Sequence, residues 1–297
     1  MSTLKDIIAQ YIQSRRASRY SEHTLQDYQN AFRLFSEFVG EDIVFEDIDV
    51  QTITRFMASE HVRRVSKKTA RNYHTALSSL WTWAVENGHA TINVVRKVKP
   101  PKPEKREIIP FSRDEIEKLL DACMGSANPQ RDRAILYLLL DTGMRASEIG
   151  NLRIQDLNVY RRHILVMGKG RKERQVRISE RTLQAILEYL RTRGISNLQK
   201  HFHAPLITTH SGHQLDRNAL RLLLFRLGAR AGIPKVHPHR FRHTFAITYL
   251  RNGGNIYTLQ KILGHTSLDM VKRYLKIAQI DIDRDHDKAS PVANWKL

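Results

Sequence analysis

Residues 98–110 read VKPPKPEKREIIP, and this short run divides the chain. Its four prolines lock φ and remove backbone donors, so neither a helix nor a central strand can run through it. The charged residues between them favour solvent, which predicts a semi-rigid, extended tether. Two bodies then flank it, residues 1–97 and 111–280, with a polar tail over 281–297 that ends on Val292, Trp295 and Leu297. At 297 residues the chain is long enough for two separate cores.

Upstream of the tether the sequence is helical throughout. Leu4, Ile7, Ile8, Tyr11 and Ile12 form one apolar stripe, and Leu25, Tyr28, Phe32, Phe35 and Phe38 form a second that stops at Gly40. DVQTITRFMASEHV (49–62) predicts a third helix. SKKTARNYHTALSSLWTWAVENG (66–88) predicts a fourth, opened by Ser66 as a cap and closed at Asn87-Gly88. Four helices of this kind make a small bundle. Lys67, Lys68 and Arg71 sit in its first turns, against the helix dipole, which points to contact with an anion as readily as to a solvated face.

Downstream the pattern is mixed. FSRDEIEKLLDACM, PQRDRAILYLLLDTG and SEIGNL predict helices, the first with Ser112 and Glu115 in capping-box relation. RRHILVMGKGRKERQVRIS predicts a β-hairpin about Gly168-Lys169-Gly170. Helical patterns resume at ERTLQAILEYLRTRG, DRNALRLLLFRLGARAG and PHRFRHTFAITYLRNGG. In LGHTSLDMVKRYLKIA (263–278), Gly264 reads as a helix stop and Thr266 with Asp269 as the next capping box. Leu268, Val271, Leu275 and Ala278 recur at core spacing there, with Tyr274 at the edge of that face. The fold expected is mainly α with a small β-hairpin or sheet in the second domain.

Charge narrows the partners. The chain carries 49 basic and 30 acidic residues, net +19, of which +16 falls after residue 100. A polyanion, nucleic acid first, is the partner such a field attracts. The basic residues are interleaved with core patterns, which disfavours a peripheral membrane protein. No apolar run nears the roughly 20 residues of a membrane span, and the N-terminus lacks a signal-peptide core. One cysteine, Cys123, excludes an internal disulfide and a cysteine-rich zinc site, and suits a reducing cytoplasm.

Several positions could carry chemistry. Arg145 follows the Gly143 helix stop and precedes Ser147, a plausible cap, so its guanidinium lies near a helix N-terminus where it can take two phosphate oxygens. The alternative is a structural pair with Glu148. Lys169 is exposed between two glycines, with Arg171, Lys172 and Arg174 beside it, a pattern for DNA-backbone contact or for mere solubility. His239 and Arg242 share a face at a helix start, where an imidazole can exchange a proton near neutral pH. His265, held in a corner, can fold back toward whatever Tyr274 faces. His201, His203, His210 and His213 crowd one segment, but their spacing fits no familiar zinc pattern, so no metal is expected.

Taken together, DTGMRASEI, VMGKGRKER, PHRFRHTFA and LGHTSLDMVKRYLK resemble the tyrosine site-specific recombinases, in the Xer and simple phage-integrase-like branch. The N-terminal bundle looks like that family's core-binding, SAM-like domain. The resemblance implies a two-domain DNA clamp and strand cleavage through a covalent 3′-phosphotyrosine, with no metal, cofactor or ATP. It implies Tyr274 as nucleophile, Arg145 and Arg242 as clamps on the scissile phosphate and Lys169 as acid to the leaving 5′ oxygen. His239 becomes the general base and His265 the second phosphate-contacting histidine. The partners implied are duplex DNA carrying paired recombination sites, a homo- or hetero-tetramer and accessory proteins, in the cytoplasm at the nucleoid. Phe241 replaces the usual leucine, and Leu275-Lys276 follow the tyrosine where Xer proteins more often carry Thr-His, so dimer resolution and mobile-element integration both stay open. A type IB topoisomerase-like relaxase and a non-catalytic DNA-binding regulator are the alternatives.

Overall fold

A computed structural model describes residues 2–104, 107–168, 173–265, 267–278 and 290–292. It divides into two compact units, Met1–Arg106 and Glu107–Leu297.

In the first unit, α1 (Leu4–Ala17), α2 (Glu22–Val39) and α5 (Lys67–Glu86) supply most of the core. That core is aromatic: Trp81 stacks on Phe45 at 4.6 Å, while Phe35 meets Phe56 edge-on at 5.0 Å. The predicted third helix is two, α3 (Val50–Ala58) and α4 (Glu60–Arg64). Ser59 breaks it, with extended backbone (ψ 155°) and a side chain that accepts from the Val62 amide. Apolar periodicity does not register a one-residue break whose flanking helices both bury their stripes. Ser66 caps α5 by accepting from the Thr69 amide, and Asn87 ends it. Buried His74 donates from Nε2 to the Val98 and Val95 carbonyls, tying the start of the tether to this unit. Lys67, Lys68 and Arg71 are exposed, and Lys67 pairs with Glu104 at 2.9 Å.

The second unit runs α6 (Arg113–Met124), α7 (Pro129–Thr142), α8 (Ala146–Asn151), a sheet, α9 (Glu180–Thr192), α10 (Arg217–Ala231), α11 (Pro238–Arg251), α12 (Ile256–Leu263) and α13 (Asp269–Ala278). Three antiparallel strands, β1 (Leu157–Asn158), β2 (His163–Met167) and β3 (Glu173–Arg177), lie in sequence order, with Leu165 opposite Gln175. The expected hairpin is therefore present, extended by the short β1. Ser112 and Glu115 form the expected capping box of α6. Lys169, Arg171 and Lys172, in the connection from β2 to β3, lie outside the described residues, as do Thr266 and most of the tail.

Two apolar clusters fill this unit. The larger gathers α6 to α10, the sheet and Phe241; the smaller is Ala246, Ile247, Leu250, Leu259, Leu263, Val271, Tyr274 and Ala278, drawn from α11, α12 and α13. α11 contributes to both. Its start is fixed by Arg240, which donates to the Ile109, Pro110 and Pro234 carbonyls, pairs with Glu115 at 2.7 Å and lies over the Phe111 ring. Cys123 is buried, and burial pushes its thiol up to about 12, far from a reactive thiolate.

Candidate active site

The site begins where α7 stops. Gly143 is left-handed (φ 59°), and a Cβ there would come within 2.5 Å of the Phe245 ring, so only glycine fits. The chain then turns through buried Met144 to Arg145, the extended N-cap of α8. Glu148, not Ser147, closes this helix start. Its carboxylate accepts from the Arg145 amide and from Arg145 Nη1, both at 2.8 Å. A carboxylate three residues into the helix reaches back further than the Ser147 hydroxyl can.

The Arg145–Glu148 pair thus exists, but it does not exhaust either partner. Arg174, on β3, donates to both Glu148 oxygens at 3.0 and 2.8 Å and to the Ile262 carbonyl at 2.7 Å. Its side chain is only 12% exposed. Expected among the outward DNA contacts, Arg174 instead points inward, because a buried carboxylate needs a second cation close by. Burial pulls Glu148 upward, yet the hydrogen bonds from Arg174 and the Arg145 amide win and hold it below the usual carboxylate range. With Glu148 accepting on one side, 38% of the Arg145 side chain is still open to solvent.

Arg242 is buried on α11. It donates to the Gly143 carbonyl and to the Leu263 carbonyl, each at 2.7 Å. Arg145 Nη2 reaches the Gly264 carbonyl at 3.5 Å. The acceptors belong to the C-terminal ends of α7 and α12, both stopped by left-handed glycines. Unpaired carbonyls there carry partial negative charge, which is why three guanidinium groups can share so small a volume. Burial, then the neighbouring Arg145 charge, lower Arg242 to about 10, so it is still a cation at neutral pH.

His265 follows Gly264, and its Nε2 lies 2.7 Å from Arg242 Nη2. A guanidinium cannot accept, so Nε2 is the acceptor and the ring proton sits on Nδ1. Burial and the charges of Arg242 and Arg145 lower this imidazole to about 4. Its Nδ1 is buried without a hydrogen-bond partner among the described residues.

Tyr274 is 5% exposed and lies between Val271 and Ala278 in the buried stripe of α13, rather than at its edge. Leu275, placed in that stripe by sequence, is only partly buried. The Tyr274 ring stacks near-parallel on His265 with centroids 6.5 Å apart. Its hydroxyl lies 2.9 Å from Nδ1 of His243. Burial raises the phenol above its ordinary value, and Arg242, Arg273 and Arg145 pull against that rise.

Four of the six expected site residues, Arg145, Arg242, His265 and Tyr274, thus come together. His239 is exposed at the first turn of α11, its ring 6.5 Å from that of His237, and Lys169 lies outside the described residues. Sequence reading missed Glu148 as a shared anchor, the inward turn of Arg174, and His243. The signal for His243 was present: it shares a helical stripe with buried Ala246, Ile247 and Leu250, an odd place for a lone imidazole. Among the described residues no three His, Cys, Asp or Glu side chains are grouped to hold a metal ion.

This arrangement can be set beside known proteins. Residues 111–279 match the Phage integrase family, and residues 3–100 match the Phage integrase SAM-like domain. The tyrosine recombinase XerC of Staphylococcus aureus is 31% identical over 280 residues, 92% of each chain. Among solved structures, the Tn1549 transposon integrase in complex with a circular intermediate DNA superposes with a TM-score of 0.78 at 19% identity, covering 96% of this chain and 100% of that one. A lambda integrase dimer bound to a core site gives 0.74 at 19% identity, covering 91% and 97%. The two structures share the fold; the domain matches and the XerC identity go further, and by them the chain belongs to the phage integrase family of tyrosine recombinases.

Proposed function

We propose that this tyrosine recombinase cuts and rejoins duplex DNA at specific sites through a covalent 3′-phosphotyrosine on Tyr274. One observation carries the assignment to residues: groups from α8, α11, the α12–α13 corner and α13 meet around one point, linked by Arg242, His265 and the Tyr274 ring. An incoming phosphodiester would find Arg145 and Arg242 as a fixed cationic cradle, and the unpartnered Nδ1 of His265 as a further donor.

The chemistry follows from that charge. A buried neutral phenol is a poor nucleophile until its proton leaves and its oxygen bonds to phosphorus. In-line attack forms the Oη–P bond and breaks the P–O5′ bond, while the arginines stabilise the charge on the equatorial oxygens. Lys169 protonates the leaving 5′ oxygen, and an imidazole of α11, His239 by the family resemblance, takes the phenol proton. The phosphotyrosine conserves bond energy, so a 5′-hydroxyl can reseal the strand without ATP. When that hydroxyl comes from a second duplex, strands are exchanged.

Around this step we place a clamp and an assembly. The bundle of residues 1–97 grips DNA through Lys67, Lys68 and Arg71, and Arg171 and Lys172 add contacts to the DNA backbone from the second unit. Paired sites call for a tetramer, with the 281–297 tail docked on a neighbour. Among the described residues no helix is long and apolar enough to cross a membrane.

The test is a nicked suicide substrate carrying the recognition site. Wild type is expected to form a covalent DNA adduct and Tyr274→Phe none. An adduct from both proteins would remove Tyr274 from its role. Adduct formation with supercoil relaxation but no exchange between paired sites would move the protein to the relaxase reading, and no adduct at all to the regulator.

A further inference from the structure

We infer that His243, rather than His239, receives the phenol proton when Tyr274 attacks and returns it when the strand is resealed. The inference rests on Tyr274 being the nucleophile and deepens that reading.

Geometry is the first ground. His243 Nδ1 is 2.9 Å from the Tyr274 hydroxyl, and the two rings are 5.6 Å apart. A general base must lie within hydrogen-bond reach of the proton it takes, and His243 does so already. It follows Arg242 on α11, so one helix delivers both a phosphate clamp and the acceptor, roughly 100° apart around its axis. Arg242 faces the Gly143 and Leu263 carbonyls, whereas His243 faces α13. Any motion of α11 would carry clamp and acceptor together.

The second ground is the direction of the hydrogen bond. Around His243 stand His239 and Arg242 of its own helix, His237 at that helix's N-cap and Arg273 of α13, all of them bases or cations. Burial first, and these neighbours second, lower the imidazole to about 4, so it is neutral at working pH. Burial likewise keeps the phenol protonated. The proton therefore sits on Oη, which donates to Nδ1, and Nε2 carries the ring proton. The oxygen's lone pairs are left directed away from His243, free for phosphorus.

So weak a base cannot ionise the phenol beforehand, and it need not. As the Oη–P bond forms, the oxygen loses nearly all its basicity and the proton passes to Nδ1. The P–O5′ pair departs with O5′, which is protonated in turn. On resealing, the 5′-hydroxyl attacks phosphorus and its proton returns to the acid that had protonated O5′, the P–Oη pair returns to the phenol oxygen, and the imidazolium gives the phenol its proton back. An imidazolium this acidic is well suited to expelling tyrosine.

The experiment compares His243→Asn, His243→Gly, His239→Asn, Tyr274→Phe and wild type on the nicked site, with DNA affinity and thermal midpoint measured for each. Asparagine keeps an acceptor near the Nδ1 position but cannot take a proton. We expect His243→Asn to bind DNA normally and to lose about 10²-fold or more in adduct formation and in resealing alike. Added imidazole should restore part of the activity of His243→Gly, which a purely structural role would not allow. If His243→Asn stays within a few-fold of wild type while His239→Asn collapses, the inference is overturned. If wild type forms no adduct, or Tyr274→Phe forms one, the nucleophile assignment itself has failed, a separate outcome.

Discussion

The catalytic unit has a large core and a small one, and the site lies on the seam between them. Arg145, Glu148 and Arg174 stand on elements of the large core, which buries residues such as Leu139, Ile149, Val176 and Ile186 completely or nearly so. Tyr274 belongs to the small core, where α12 and α13 rest on α11, and His243 meets its hydroxyl there. Arg242 and His265 bridge the two. Arg145, Glu148 and Arg174 are therefore carried by the larger buried cluster and the nucleophile by the smaller one, where local opening is expected to cost less. A phosphate clamp gains from being fixed in advance. A phenol that must give up its proton and later be released gains from a support that can give.

Glu148→Ala strikes the rigid side hardest. It strips the shared partner from Arg145 and Arg174 and leaves Arg174 as a nearly buried, unbalanced cation beside Arg242. Losing one partner of a buried pair costs about 3–5 kcal/mol, and that loss is expected in denaturant unfolding of the protein. A loss below about 1 kcal/mol would mean that the cradle does not depend on this carboxylate. Arg242→Ala comes next. It removes the bridge between the cores and one clamp, and is expected to slow adduct formation by about 10²–10³-fold, as loss of an oxyanion donor does. Near-wild-type cleavage would show that the seam is structural only.

A third pair of variants compares the cores directly. Ile186→Ala and Leu259→Ala each remove the same number of carbons from a side chain with no exposed surface, at a cost of about 2–5 kcal/mol. The value for Leu259 is expected near the lower limit, because a small cluster can collapse into the space. Hydrogen exchange should separate them further. Leu259→Ala should weaken protection in α12 and α13 while α9 stays protected, whereas Ile186→Ala should weaken all together. Uniform loss in both would mean one cooperative core, and the contrast between the two would be lost.

Much of this was legible in the sequence, for reasons that can be named. Gly143 and Gly264 marked both helix stops because left-handed backbone leaves few alternatives to glycine, and Ser66 and Ser112 marked starts because a hydroxyl can stand in for a missing carbonyl. The hairpin followed from alternation about Gly168. Legibility failed wherever a side chain's partner came from a distant element. Arg174 reads as an ordinary basic residue until Glu148 and the Ile262 carbonyl are folded against it. Tyr274 reads as the edge of a stripe until α11 shows which side of α13 is covered. Glu148 displaced Ser147 as the closing group because the Arg145 backbone and side chain converge on a single carboxylate, a geometry that spacing alone does not encode.

Acid supplies the mildest way to sharpen the contrast between the cores. His243 and His265 both lie at the seam, and both are lowered to about 4 from an ordinary value of 6.5. The unfolded chain therefore binds more protons than the folded one between those values, so stability falls as pH drops from about 6.5 toward about 4. Glu148, held below its ordinary value of 4.5, keeps its contribution until pH falls beneath that value. Acidification from neutral pH must then load the small core's imidazoles before it reaches the large core's carboxylate. Protection factors are expected to fall first in α11 to α13 near pH 5, with α9 unchanged, and His243→Asn/His265→Asn should flatten the dependence. Equal protection of α9 and α13 down to pH 4.5 would mean that these imidazoles charge without strain, and that the seam is no weaker than the core beside it.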